Sequence, residues 1–259
     1  ELGSNLLFND DFHFRDGQIT SHGRSVASTV NGKRMGYNWK NIVNYTKSFG
    51  QHNLDLLGAS EMQSYTSKLN SVFGDTFINS TLTRPQDAAI INASNGESSY
   101  SFLSYIGRIN YDFQDRYLLS VSFRADGSSR FGANNRWGTF PSVGAGWVIS
   151  DEAFMSDLPA VSFMKLRGSW GIIGNNNLGN YTSYALINNT VNGVFGNTVA
   201  TGAAVSSLAN PNLGWETTTQ LDLGLDLNMF NNRVNFAYDY YTKNTTNLLY
   251  AVQIAQESG

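Results

Sequence analysis

The residues best suited to acid–base or nucleophilic chemistry are few in this sequence. Its 259 residues include three histidines, His13, His22 and His52, and no cysteine. No HExxH, GxSxG or Walker pattern occurs, although these are the motifs that hold a catalytic zinc ion, a serine nucleophile or a nucleotide phosphate. We therefore expect no catalytic residue, no cofactor and no metal site, and we predict that the protein is not an enzyme.

Two short stretches suggest ion binding only weakly. Asp10, Asp11 and Asp16 lie close in sequence, but they do not follow the EF-hand spacing that surrounds calcium with oxygen ligands. The Asp-Gly-Ser-Ser stretch at 126–129 resembles a backbone anion cradle, yet an ordinary loop turn is the simpler interpretation. We favour no bound ion at either place.

Charged and amide side chains that could contact a cargo molecule occur at alternate positions of candidate strands and in one Asn-rich loop. Those on the strands would share one polar face. Cross-strand charge pairs within a sheet and ordinary turn chemistry of asparagine are the alternatives. The candidates for a polar interior or a cargo-contacting surface are Arg108, Arg124, Asp126, Arg167, Asn175, Asn176, Asn177, Asp222 and Asp226.

The elements that would position these residues are β-strands, because apolar side chains recur at every second position. In residues 103–113 the odd positions are apolar, aromatic or glycine, and the even positions include Ser104, Arg108 and Asn110. The pattern resumes at 117–126, which predicts a β-hairpin across the turn 114–116. The same alternation predicts strands at 35–45, from 52 onward, at 143–149 and at 166–172, and a hairpin of 221–229 with 234–240.

The composition favours a membrane-embedded sheet over a soluble domain. Charged residues make up 14% of the chain, against roughly 25% in soluble domains. The mean hydropathy is -0.28, and no apolar run approaches the roughly 18 residues of a transmembrane helix. Strands that show lipid at every second residue satisfy both observations. The net charge of -3 argues against a nucleic-acid partner.

Connections of alternating length predict a transmembrane antiparallel β-barrel. Outer-membrane barrels have short periplasmic turns and long extracellular loops, and structureless loops of such length are uncommon in compact soluble domains. The connection 150–163 would be a periplasmic insertion with one helical turn. The predicted short turns are 48–51, 114–116 and 230–233, and the predicted long loops are 17–33, 66–98 and 174–214, with 127–138 also outside.

Aromatic residues and the strand count refine this prediction. Tyr111, Phe113 and Tyr117 flank a short turn, and Trp137 and Phe140 would lie in an outer girdle, because such rings collect where hydrocarbon meets headgroups. The pattern gives about nine strands, and an open set would leave backbone groups unpaired in lipid. We therefore expect a partial barrel. A soluble β-sandwich or propeller with one wet face is the alternative.

Motifs from residue 100 to residue 241 carry a family resemblance. The motifs are Tyr-Ile-Gly-Arg-Ile-Asn-Tyr 105–111, Asp-Arg-Tyr-Leu-Leu 115–119, Arg-Ala-Asp-Gly-Ser-Ser-Arg-Phe-Gly 124–132, Asn-Arg-Trp-Gly 135–138, Phe-Pro-Ser 140–142, Leu-Arg-Gly-Ser-Trp-Gly 166–171, Gly-Asn-Asn 174–176, Asn-Pro-Asn-Leu 210–213 and Trp-Glu 215–216. As a set they resemble the SusC/RagA-like TonB-dependent transporters of Bacteroidetes. Residues 1–99 match more loosely, at Gly-Tyr-Asn-Trp 36–39 and around 52–63.

The resemblance implies a barrel of about 22 strands in the cell outer membrane, with an amino-terminal plug. It implies active import of an oligomeric nutrient, glycan or peptide. The implied partners are a SusD-like surface lipoprotein, TonB-ExbB-ExbD, membrane lipid and lipopolysaccharide, and a dimer of transporter–lipoprotein pairs stays open. No nucleic acid is implied.

We expect residues 1–259 to be part of a single TonB-dependent receptor β-barrel domain, with no recognisable plug domain or TonB box among them. Two other functions remain open: a passive porin or adhesive outer-membrane barrel, and a soluble glycan-binding β-domain. A plug and a TonB box upstream in the full gene would argue against the first. Partition of the chain into water without detergent would favour the second.

Overall fold

The computed structural model describes residues 2–15, 24–79 and 81–250 and shows an all-β chain. Nine strands are hydrogen-bonded in the order β1-β2-β3-β4-β5-β6-β7-β10-β11, and β8 pairs with β9 in a separate sheet. Within those three ranges, no helix is long and apolar enough to cross a membrane. The strands are β1 (Leu2–Arg15), β2 (Val26–Phe49), β3 (His52–Asp75), β4 (Ile90–Phe113), β5 (Tyr117–Ser128), β6 (Trp137–Val148), β7 (Val161–Asn175), β8 (Leu186–Phe195), β9 (Thr198–Ser207), β10 (Glu216–Met229) and β11 (Val234–Thr246).

Antiparallel pairing keeps apolar and polar side chains on opposite faces. Ile109 of β4 lies opposite Val121 of β5, and Val121 lies opposite Val143 of β6. The adjacent positions are polar, with Ser122 opposite Ser142. Since successive side chains of a strand point to opposite faces, each apolar row meets another apolar row across the strands. The face assignment predicted from alternation is confirmed here.

The apolar face of the sheet is exposed. Tyr105 is 52% exposed, Phe123 51%, Leu166 49% and Tyr238 57%. The buried hydrophobic side chains of the described chain are only Ala27, Phe131, Phe140, Val148 and Trp215. A soluble protein rarely exposes so large a continuous apolar surface, so the structure disfavours the soluble β-sandwich.

The chain divides into two compact units. Unit 1 comprises residues 1–39 and 62–101, and unit 2 comprises residues 40–61 and 102–259. In unit 1, β1 pairs with the first part of β2, and the rings of Phe14 and Phe77 meet edge to face at 5.7 Å between centroids. All of the candidate residues for a cargo-contacting surface belong to unit 2.

The predicted long loops are shorter than expected, because the strands continue into them. β2, β3 and β4 each contain 24 residues, so much of 17–33 and 66–98 is strand; residues 16–23 and 80 lie outside the described residues. Leu69, Val72 and Phe73 do not fall at alternate positions. A strand whose two faces are both solvated needs no alternation, and the sequence signal for it was therefore absent.

The predicted loop 174–214 also contains regular structure. Its centre is the hairpin of β8 and β9, whose register shifts between Leu186 and Ile187 and between Asn188 and Val191. The insertion predicted at 150–163 holds two 3₁₀ turns, Ile149–Asp151 and Ala153–Met155. The expectation of a helical turn at this place is confirmed.

One aromatic residue, Phe140, and one aliphatic residue, Ile172, are not in the positions predicted for them. Phe140 is 7% exposed and packs with Phe131 and Trp215, whereas Trp137 is 52% exposed. An odd separation of three residues places them on opposite faces of β6, so Phe140 is not a girdle residue. Ile172 likewise packs against this cluster instead of continuing the exposed row, beyond the point where the pairing of β6 with β7 ends.

Candidate functional site

Side-chain hydrogen bonds link neighbouring strands on the polar face of unit 2, near the short turns. Asn53 Nδ2 donates to Asp112 Oδ1 at 2.9 Å, and Asn110 Nδ2 donates to Asp55 Oδ1 at 3.4 Å. Ser120 Oγ donates to Asn110 Oδ1 at 2.7 Å. These bonds join β3, β4 and β5, so the polar side chains hold one another in place across the strands.

Two of the nominated arginines differ in how tightly they are held. Arg124 Nε donates to both carboxylate oxygens of Asp126, at 2.8 and 2.7 Å, and its NH2 group donates to Ser104 Oγ at 3.2 Å. Asp126 is 5% exposed and Ser104 is fully buried. Arg108 instead lies 3.8 Å from Asp55 and keeps 46% of its side chain exposed. Arg108 is thus held less tightly than Arg124, whose guanidinium is bonded to the nearly buried Asp126.

Arg167 joins three strands. Its Nε lies 3.1 Å from Asp226 Oδ2, and its NH2 group lies 2.5 Å from Asp239 Oδ1. The guanidinium reaches these partners, on β10 and β11, by crossing Gly224, where an added Cβ would lie 2.4 Å from Arg167 Cζ. The structure therefore brings Arg167 and Asp226 together as a charge pair, which is the alternative that the sequence left open.

Two shallow cavities lie along this polar face, and Asp222 lines both. The first, of about 460 Å³, is also lined by Arg167; the second, of about 790 Å³, is also lined by Arg124 and Asp126. Both volumes lie in the range of ligand pockets. Gln220 Nε2 donates to Asp222 Oδ2 at 2.6 Å. The cavities combine hydroxyl, amide and carboxylate groups with a larger apolar lining, which suits a molecule that has both polar groups and apolar surface.

The three nominated asparagines support the loop that follows β7. Asn175 Nδ2 donates to Glu216 Oε1 at 3.0 Å, and Asn175 Oδ1 accepts from the backbone N–H of Asn177 at 3.0 Å. The carbonyl of Asn176 accepts from Arg130 NH1 at 3.3 Å. These are the turn contacts expected of asparagine, and Asn176 also lines the second cavity.

Two loops, residues 129–138 and 210–216, pack against each other in a way that the sequence did not predict. We call this contact the outer loop junction. Phe131, Phe140 and Trp215 form its buried core. A Cβ on Gly132 would lie 2.1 Å from the Pro211 carbonyl oxygen. The glycines of the family motifs were the only sequence feature that could have indicated this close approach of the two loops. Hydrogen bonds across the junction run from Gly132 N to Leu213 O at 2.9 Å, Asn134 N to Pro211 O at 3.1 Å, Asn135 Nδ2 to Asn212 O at 2.6 Å and Trp215 Nε1 to Arg136 O at 3.2 Å.

A second missed feature is a carboxylate held in the insertion after β6. Glu152 Oε1 accepts from Tyr117 Oη at 2.6 Å and from Trp147 Nε1 at 2.9 Å. Arg116 NH1 lies 3.8 Å from Glu152 Oε2. The hydrogen bonds from Tyr117 and Trp147, with a smaller contribution from Arg116, hold the pKa of the Glu152 carboxyl below its ordinary value.

The aspartates considered for calcium do not form a metal site in the described residues. Asp10 Oδ1 accepts from Asn31 Nδ2 at 2.6 Å, and Asp16 lies outside the described residues. Within 2–15, 24–79 and 81–250, no group of three or more His, Cys, Asp or Glu side chains could hold a metal ion.

Sequence comparisons identify the family. The chain belongs to the TonB dependent receptor-like β-barrel family, whose model matches residues 2–259. It is 39% identical over 225 residues to a TonB-dependent receptor of Formosa agariphila, covering 85% of this chain and 21% of the relative. It is 32% identical over 251 residues to the TonB-dependent receptor SusC of Bacteroides thetaiotaomicron, covering 95% of this chain and 24% of the relative.

Comparison with solved structures supports the same family. The RagAB peptide transporter matches with a TM-score of 0.83 and 26% identity, over 99% of this chain and 28% of that chain. The RagAB peptide importer in the open-open state matches with a TM-score of 0.81 and 26% identity. The chain therefore spans less than a third of the length of these relatives. The predicted family, the all-β barrel fold and the outer-membrane location are confirmed.

Proposed function

We propose that the transporter to which this chain belongs actively imports an oligomeric nutrient, a glycan or a peptide, through the outer membrane with energy supplied through TonB. The chain contributes wall strands, part of the polar interior and outer loops. The observation that carries the proposal is the polar face of unit 2, on which three arginines pair with aspartates and hydrogen-bonding groups line two cavities.

The chemistry of that face suits passage better than tight capture. Arg124 and Arg167 are each paired with aspartate partners, so the wall presents hydrogen-bond donors and acceptors beside charges that are already paired. A polar oligomer can exchange hydrogen bonds with such a wall at modest cost, because protein–cargo bonds replace water–cargo bonds. Arg108 and Asp222 are the charged side chains that we assign to cargo contact.

The relatives support both the coupling and the partner. One is named SusC, and the structural neighbours are RagAB peptide transporters. We infer that a SusD-like surface lipoprotein delivers the cargo and that TonB-ExbB-ExbD acts through parts of the transporter outside this chain. Peptide and glycan are the two cargo classes to be compared.

Uptake by the full-length transporter, expressed with its lipoprotein partner, tests the proposal. Fluorescent neutral oligosaccharides and oligopeptides are supplied separately, and uptake is measured before and after a protonophore collapses the proton gradient. We expect uptake of one class, and its loss with the gradient. Uptake that persists without the gradient would support the passive porin instead.

A pair of substitutions tests the residues. Arg108→Ala should reduce the uptake rate of the transported class, because it removes the most exposed of the three arginines on the polar face. Arg233→Ala, in the exposed turn before β11, is the matched control and should leave uptake unchanged. Equal rates for Arg108→Ala and the unmodified transporter would remove Arg108 from the cargo path.

A further inference from the structure

Six aromatic rings form a continuous row beside the short turns of unit 2, which we call the aromatic row. It consists of Phe49, His52, Phe113, Tyr117, Trp147 and Phe154. Neighbouring centroids lie 5.1 Å apart for Phe49 and His52, 4.7 Å for His52 and Phe113, 6.1 Å for Phe113 and Tyr117, 6.5 Å for Tyr117 and Trp147, and 6.4 Å for Trp147 and Phe154.

The last ring of the row does not come from a strand. Phe154 lies in the second 3₁₀ turn of the insertion, Ala153–Met155, and it meets Trp147 edge to face. Phe154 is 63% exposed, and Leu158 of the same insertion is 52% exposed. Two large apolar side chains are thus presented outward at the short-turn end of the sheet.

Glu152 fixes the insertion to the row. Its carboxylate accepts hydrogen bonds from Tyr117 and Trp147, which are themselves members of the row. The backbone adds two connections at the same end, from Val148 N to Arg116 O at 2.8 Å and from Phe230 N to Ala160 O at 2.8 Å. The exposed position of Phe154 is therefore held by side-chain and backbone contacts.

The geometry points to the insertion 149–160 as an anchor in the membrane interface, with Phe154 and Leu158 placed among the glycerol and headgroup region of zwitterionic phospholipid. The row is continuous with the lipid-facing side chains of an outer-membrane barrel, and aromatic rings are favoured at that depth. Asp151 and Asp157 are exposed, and no basic residue occurs in 149–160. These charges disfavour an anionic lipid and favour a neutral headgroup.

Depth-dependent quenching tests the anchor in the full-length transporter, after any cysteines outside this chain are replaced by serine. Phe154→Cys, Leu158→Cys and the control Asp157→Cys are labelled with the fluorophore NBD and reconstituted in phosphatidylcholine vesicles. Lipid carrying a nitroxide near the headgroup reports on membrane contact, and aqueous iodide reports on exposure to water. Heat-modifiable gel migration confirms that each labelled barrel is folded.

We expect the labels at 154 and 158 to show at least threefold stronger lipid quenching than the label at 157, and weaker iodide quenching. Equal quenching at all three positions by both agents would overturn the anchor. In the Glu152→Ala background, the difference between positions 154 and 157 should shrink by at least half. An unchanged difference would refute the role assigned to Glu152.

Discussion

The alternation of faces can be tested at adjacent residues of β5. Val121 lies between Ile109 and Val143 on the apolar face, and Ser122 Oγ shares a hydrogen bond of 2.7 Å with Ser142 Oγ on the polar face. Val121 is four residues beyond Tyr117 of the aromatic row. At about 3.3 Å per residue and a tilt of about 40°, it lies about 10 Å deeper, near the middle of an apolar band about 25 Å tall.

Val121→Arg should therefore destabilise the barrel by about 2–4 kcal/mol, which is about 30- to 900-fold in the folding equilibrium. Ser122→Arg removes one exposed hydrogen bond, worth about 0.5–1.5 kcal/mol, and leaves the new charge in water. The measurement is denaturant unfolding of the two full-length variants in lipid vesicles. Equal penalties, or a larger one for Ser122→Arg, would refute the assignment of faces.

Three further predictions concern single contacts. Gly132→Ala forces a Cβ against the Pro211 carbonyl and should cost about 1–3 kcal/mol in the same unfolding assay; Gly58→Ala, with nothing within 4 Å, should cost much less. Arg167→Met removes the arginine partner of Asp226 and Asp239 and should lower the denaturant midpoint only slightly, because ion pairs this exposed to solvent are weak; Arg167→Lys should recover part of the loss. Because the pKa of Glu152 is lowered in the folded protein, its ionised carboxylate stabilises the fold fully above its unfolded pKa, and this stabilisation is lost as the pH falls through its folded pKa. The melting temperature of Glu152→Gln should therefore fall less on acidification than that of the unmodified protein.

The sheet and its two faces could be predicted from the sequence because a period of two residues is imposed by the strand itself. Arg108 and Asp222 were placed on the polar face for this reason. Pairing partners were not predictable in the same way. Arg167 binds Asp239 because β7, β10 and β11 are neighbours in the sheet, and that order is interrupted in sequence by β8 and β9.

The parts that were missed depend on contacts between loops. Phe140 is an aromatic residue near a strand end, as a girdle residue would be, but it lies three residues from Trp137 and therefore on the opposite face. Its partners are Phe131, in the loop just before β6, and Trp215, which is distant in sequence. The extensions of β2, β3 and β4 were missed for another reason. Polar strand ends are stabilised by backbone pairing, which leaves no hydrophobic pattern in the sequence.

The hairpin of β8 and β9 is closed at its base. The backbone N–H of Asn210 donates to the Ser183 carbonyl at 3.0 Å, and Ser207 Oγ donates to the Tyr184 carbonyl at 3.1 Å. A segment whose two ends are joined in this way can change in length or composition without moving the strands that carry it. We therefore expect the hairpin of β8 and β9 to tolerate changes in length and sequence, so that the exposed surface can change in evolution while the strands of the wall stay the same.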